Sequence, residues 1–224
     1  MLPVKTGAKL REIVLETTVR NRLRVATHPY HLQLNRHTLL SRLTQSDLEL
    51  STYHMILIAY FYLYKAVEDR INQYLKLHPN CFEYSERNKL PWLSHDISFF
   101  HDDLRELDYG KQPITTFPEI ENTGQLVGVL YTLEGSTLGG QVISRNLAEN
   151  HGFTPTRGAC FFNGYGERTL TMWHDFLCFA ESISENNNAC QTAIESACQT
   201  FQLFEQALNG IIHEECLVAI TYHE

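Results

Sequence analysis

Apolar side chains recur every three or four positions along most of the chain. Between Leu48 and Leu77 they fall at Leu57, Tyr60, Phe61, Tyr64, Val67 and Ile71, one face of a single helix. Ser46-Asp47-Leu48-Glu49 at its start has the spacing of a capping box, and His78-Pro79-Asn80 closes it. Thr116-Phe117-Pro118-Glu119 has the same form and is expected to open a helix reaching about Asn150. Further helices are expected over residues 20–43, 90–107, 167–183 and 189–208. Period-two alternation is not sustained anywhere, and turn residues gather at 108–110, 152–158 and 163–166. The pattern predicts an all-α fold in one domain. Helices of about 20 residues span ~30 Å, enough to enclose a sizeable ligand.

Composition narrows the class. The 224 residues suit one large domain at roughly 150 residues per domain. A hydrophobic share of 43% against 20% charged residues excludes wholesale disorder. Six cysteines with no Cys-x-x-Cys pair read as reduced, mostly buried thiols rather than a disulfide framework. The N-terminus lacks the apolar core of a signal peptide, and the run from Met55 to Tyr64 is about half the ~20 residues of a membrane span. A cytoplasmic location without membrane attachment is expected.

The net charge of −8 argues against a nucleic-acid partner. Yet the first 45 residues carry eight basic side chains and only Glu12 and Glu16 as acids. Such a basic arm on an acidic body is either a solvated helix face or an attractor for an anionic ligand or partner.

Two features strain a plain helical reading. Gly135, Gly139 and Gly140 interrupt residues 126–143, otherwise a good buried helix, at about 1 kcal/mol each relative to alanine. Close helix packing or a kink would explain them, as would a flat ligand lying on bare backbone where a Cβ would intrude. The second feature is His31, near apolar positions and with Asn35 one turn later. A histidine there is either a satisfied core residue or a ligand. His28 and His31 could form a metal pair, but Pro29 between them is expected to kink or restart the helix. His95-Asp96 and His101-Asp102-Asp103 read as a wet helix face. Glu134, beside the glycines, is open between a core ion pair and a functional role.

Taken together these stretches resemble the biliverdin-producing heme oxygenases, particularly the bacterial branch associated with bacteriophytochromes. Leu23, Arg24, Ala26, Thr27 and His31 match the Leu-Arg-x-Ala-Thr-x-x-x-His pattern of that family. Residues 131–143 (YTLEGSTLGGQVI) are close to its glycine-broken distal helix. Phe161 to Gly166 followed by Trp173-x-x-Phe176, and the helix at 200–205, are also similar. The resemblance covers roughly residues 20–208, leaving 1–19 as an N-terminal extension and 209–224 as a C-terminal tail.

The resemblance implies heme held between two helices, as substrate and cofactor. His31 would be the axial iron ligand, and Gly135, Gly139 and Gly140 would line the distal face with Ser136 beside them. Arg24, two turns before His31, would hold a heme propionate, with Tyr131 as a hydrogen-bond donor. Relatives place an arginine or lysine near the tryptophan, where this chain offers Arg168 and His174. Phe201 and Phe204 are candidate pocket walls. O2 and an external electron donor (a ferredoxin, flavodoxin or reductase) would be required, and a biliverdin-accepting bacteriophytochrome is a candidate partner. Asn35 stands where relatives commonly carry an acid, which implies a weaker-donating imidazole and a higher iron potential. A heme carrier or store with the same pocket is the competing reading. Thiaminase-like and di-iron enzymes of related fold are further alternatives, the first wanting an active cysteine and the second inward carboxylates and histidines.

Overall fold

The computed structural model describes residues 18–100 and 117–221, with side chains described as far as residue 210. Eight α-helices make up the described residues: α1 (Val19–Asn35), α2 (Thr38–Arg42), α3 (Leu50–Leu77), α4 (Leu90–Phe99), α5 (Thr123–His151), α6 (Cys160–Asn163), α7 (Thr169–Ala180) and α8 (Asn187–Thr221). Short 3-10 turns lie at Ser85–Arg87, Gly166–Arg168 and Glu181–Ile183, and no β-strand occurs among the described residues. The fold is all-α.

The long helices sit where the apolar period put them, because α3 and α5 each bury a broad face. On α3 the residues Leu57, Tyr64, Val67 and Ile71 are fully enclosed. α5 and α8 pack along much of their length, and glycine makes this possible. A Cβ on Gly124 would stand 2.5 Å from the Ala189 carbonyl oxygen, and one on Gly128 would collide with that of Ala193. α1 also leans on α8, whereas α1 and α5 hardly touch each other. α8 is therefore a shared wall on which the two helices rest with few contacts between them.

Helix starts depart from expectation. α3 begins after Glu49 with no side-chain cap, so Ser46 does not form the expected box. α5 begins after Asn122, whose side chain accepts from Gln125 N–H, and residues 117–122 are not helical ahead of it. Thr116 of the expected box lies outside the described residues; Asn122 caps the helix because its short amide closes the first turn locally. Pro29 lies inside α1 without restarting it, and the expected helix over 20–43 breaks instead at Arg36–His37. His37 accepts from Leu39 N–H and so caps α2. α8 runs on to Thr221, beyond the Leu208 expected from its pattern. The expected turn at 108–110 and the His101 cluster lie outside the described residues. Among those residues no helix is long and apolar enough to cross a membrane.

Candidate functional site

α1 and α5 meet at Thr27 and Tyr131. A hydrogen bond with Thr27 and the charges of Arg20 and Arg24 hold the Tyr131 hydroxyl down against a larger upward push from burial. Both arginines are exposed, so this corner presents two guanidiniums and a phenol to whatever enters. Arg24 also donates to Asn21 Oδ1 at 3.0 Å. Arg20 escaped the sequence reading, although its place one turn before Arg24 would have found it.

One turn beyond Thr27 stands His31, exposed, with its ring edge-on to Phe201 of α8 at 6.1 Å between centroids. Partial burial and the neighbouring His28 push its pKa below the ordinary 6.5, which favours the neutral imidazole. The Asn35 amide nitrogen lies 3.4 Å from its Nδ1. An amide can offer nitrogen or oxygen by a half-turn, and with oxygen inward it accepts Nδ1–H and leaves Nε2 free to bind a metal.

On α5 the three glycines do different things. Gly139 is exposed, and a Cβ there would meet nothing within 4 Å. Gly135 would meet only the Trp173 ring, at 3.7 Å. Gly140 is buried, and its Cβ would stand 2.8 Å from the Phe162 carbonyl oxygen. Packing against α6 therefore accounts for Gly140, while Gly139 borders open space. Between them Ser136 donates to the Leu133 carbonyl at 2.8 Å, so the buried Tyr64 hydroxyl donates to Ser136 Oγ at 3.4 Å.

The floor is aromatic. Phe204 and Phe161 both set their rings edge-on to Tyr64, at 5.7 and 5.4 Å, with Tyr60 alongside. Phe161 is aimed by Asp96, a fully buried carboxylate that accepts from the backbone N–H groups of Cys160 and Phe161 at 2.9 and 2.8 Å. Asp96 thus caps α6 and is not part of a wet face. The residue ahead of α6 is Ala159, which has no side-chain cap to offer, and that is the signal that a cap had to come from elsewhere.

Arg168 and His174 do not meet. Arg168 pairs with Glu86 at 2.7 Å on the surface, and His174 faces Cys178 at 3.7 Å. Glu134 is a core ion: it is fully buried, meets Arg87 Nη1 at 2.6 Å and also pairs with Lys89, while the Tyr165 hydroxyl donates to it. Neither competing chemistry gains support. Burial and Asp96 push the Cys160 thiol up to about 11, so it is no activated nucleophile. No group of three metal-ligating side chains occurs among the described residues. Of the five described cysteines all are free, but only Cys190 is buried, fewer than expected.

The family model for heme oxygenase matches residues 17–210. Comparison with curated protein sequences gives no match. Among solved structures, the heme oxygenase of Leptospira interrogans superposes with a TM-score of 0.67 at 17% identity, over 85% of this chain and 98% of that one. The NO- and CO-bound heme oxygenase of Neisseria meningitidis gives 0.65 at 20% identity, over 85% and 90%. The fold, and a match spanning most of its length, place this chain in the heme oxygenase family.

Proposed function

We propose that heme binds between α1 and α5 and that the protein opens the porphyrin oxidatively to biliverdin, ferrous iron and carbon monoxide. One observation carries the reading. An exposed, neutral-leaning imidazole stands on one wall, and the other wall carries a helical glycine with open space where its Cβ would be. The donor set fits the group: imidazole for iron, guanidiniums for carboxylates, aromatic rings for a flat apolar face.

His31 would ligate the iron through Nε2, with Asn35 fixing which ring nitrogen carries the proton. Arg24, Arg20 and Tyr131 hold the propionates at the mouth, which replaces the role expected of Arg168 and His174. Gly135 and Gly139 admit the porphyrin close to the α5 backbone. Ser136, steadied by Tyr64, offers a hydroxyl beside them, and Phe201, Phe204 and Phe161 keep water from the apolar face. Bound heme supplies both the iron that activates O2 and the ring carbon that is oxidised, while the protein contributes orientation and electrostatics. An external electron donor completes the system, and a biliverdin-accepting phytochrome is a candidate recipient of product.

Adding hemin to the purified protein should give a histidine-ligated spectrum, and ascorbate in air should then give a biliverdin band. A spectrum without conversion would identify a heme carrier instead. A His31→Ala variant that binds and converts hemin like the parent would remove the axial assignment.

A further inference from the structure

Glycine lets a flat group approach α5 closely, and the side chains on either side of the glycines limit how far that approach extends. Gly135, Gly139, Val142 and Asn146 follow one another at steps of four, three and four residues, so they share one face of α5. At the start of this face the Trp173 ring stands 3.7 Å from where a Gly135 Cβ would be, and its centroid lies 5.8 Å from that of Tyr131. Gly139 then borders open space. The next side chain on the face is Val142, 53% exposed and one of six large apolar side chains left at the surface of the described residues. Beyond it the face turns polar, with the Asn146 amide donating to the Val142 carbonyl at 2.9 Å. The bare backbone is thus bounded by an aromatic pair at one end and a branched aliphatic side chain at the other. From Tyr131 to Val142 is three helical turns or ~16 Å, on the scale of a substituted porphyrin.

We infer that Val142 is the stop against which the heme edge rests, so that it sets the in-plane seating of the ring and thereby which bridging carbon is oxidised. This rests on the functional reading above, in which the ring lies on Gly135 and Gly139. Exposure is the first reason. Valine is a poorer helix former than alanine, and here it leaves its methyl groups in water, so the ligand-free fold gains little from it. A ring edge laid on those methyls removes them from water. Stiffness is the second reason. A β-branched side chain in a helix holds essentially one χ1 rotamer, so Val142 offers a fixed surface where methionine would yield. The third reason is geometric. Ligation through one imidazole leaves the ring free to turn about the iron–nitrogen bond, and cations at Arg20 and Arg24 restrain only the propionate side. A wall one turn past Gly139 supplies a second point of restraint.

The test compares V142A and V142F with the parent, and with L77A as a control. Leu77 is equally apolar and exposed but ends α3, ~20 Å along that helix from Tyr64. Without ligand, V142A should melt at or slightly above the parent's Tm, because it removes no packing. With hemin, proton NMR of the cyanide-bound ferric protein reads how the ring is turned about the iron–imidazole bond. The heme methyl resonances should be shifted or further split in V142A, where the ring gains a second seating, and shifted in V142F, where the stop is larger. Hemin affinity of V142A should fall by no more than about tenfold, the worth of two apolar groups. A single turnover with ascorbate should then change the ratio of biliverdin isomers severalfold in both variants, while L77A matches the parent throughout. Parent-like methyl resonances in both V142A and V142F, or a loss of several degrees in the ligand-free Tm of V142A, overturns the stop. Hemin that binds without ring opening overturns the oxygenase reading alone, since the methyl resonances still decide the seating. Hemin that does not bind overturns both.

Discussion

The side-chain amide of Asn35 lies 3.4 Å from Nδ1 of His31, one helical turn away. A carboxylate at that position would draw the Nδ1 proton toward itself and make the ring a stronger donor, while a neutral amide does so less. Asn35→Asp should therefore lower the ferric/ferrous midpoint potential of the heme complex, by on the order of tens of millivolts. Spectroelectrochemical titration reads this directly. An unchanged midpoint would show that Asn35 does not tune the ligand.

His28 acts on the same imidazole by charge. Desolvation is the larger cause of the depressed His31 pKa, and the charge interaction with His28 adds to it. Neutral imidazole is the ligand form, so protons compete for His31 at lower pH than for an ordinary histidine. Removing His28 takes away a positive neighbour and lets the His31 pKa rise. In His28→Ala the loss of the ligated spectrum on acidification should begin at higher pH than in the parent. A midpoint that stays put or moves to lower pH would mean that His28 exerts no such field.

The glycines give a paired test of packing against cradle. Gly140→Ala sets a Cβ 2.8 Å from a backbone carbonyl, an atom that moves only if α6 moves with it. That variant should lose on the order of 1–3 kcal/mol of stability, and each kcal/mol is about 2–4 °C in Tm at this chain length. Gly139→Ala meets nothing, and replaces a poor helix former, so the ligand-free protein should be as stable or up to about 1 kcal/mol more so. Its cost should appear only with hemin, as weaker binding or an altered ratio of biliverdin isomers. Calorimetry of both variants without ligand, followed by hemin titration, separates the two roles. Equal destabilisation in the two would show that both glycines serve packing.

How far the sequence carried follows from what each signal depends on. The long helices and their buried faces were legible because a 3.6-residue period is a local property, and Tyr64 and Val67 follow from it directly. Helix starts were not, since Asn122 and Glu49 compete with equally plausible caps nearby, and the winner depends on how the preceding chain enters. Gly139 and Gly140 are neighbours of one type, and only the Phe162 carbonyl beside one of them tells them apart. Asp96 looked solvated because its partners, the backbone N–H groups of Cys160 and Phe161, lie more than sixty residues away. Arg20 was within reach, because same-face spacing from Arg24 and His31 is again local.

The buried polar cluster under the glycine helix contains two carboxylates with opposite expectations. Glu134 is met by Arg87, Lys89 and Tyr165, so Glu134→Gln leaves two buried cations without their counter-charge. That should cost about 3–5 kcal/mol, or roughly 10 °C in Tm. Glu68 accepts from Tyr84 and Lys89 N–H through Oε1, while Oε2 is buried with no partner. Desolvation dominates there and raises its pKa above the ordinary carboxylate value, against the pull of those hydrogen bonds and of the Lys89 charge. The folded state then holds the Glu68 proton more tightly than the unfolded state does. The associated stability is fully present below the unfolded pKa and is lost as pH rises through the raised folded value. Glu68→Gln removes this loss, because glutamine remains neutral and its oxygen still accepts both bonds. Its Tm should exceed the parent's at pH 7 to 8, and the advantage should fade toward pH 4. An advantage that is flat with pH, or a deficit that grows as pH rises, would mean that Glu68 is stabilised as a carboxylate by the cluster around it.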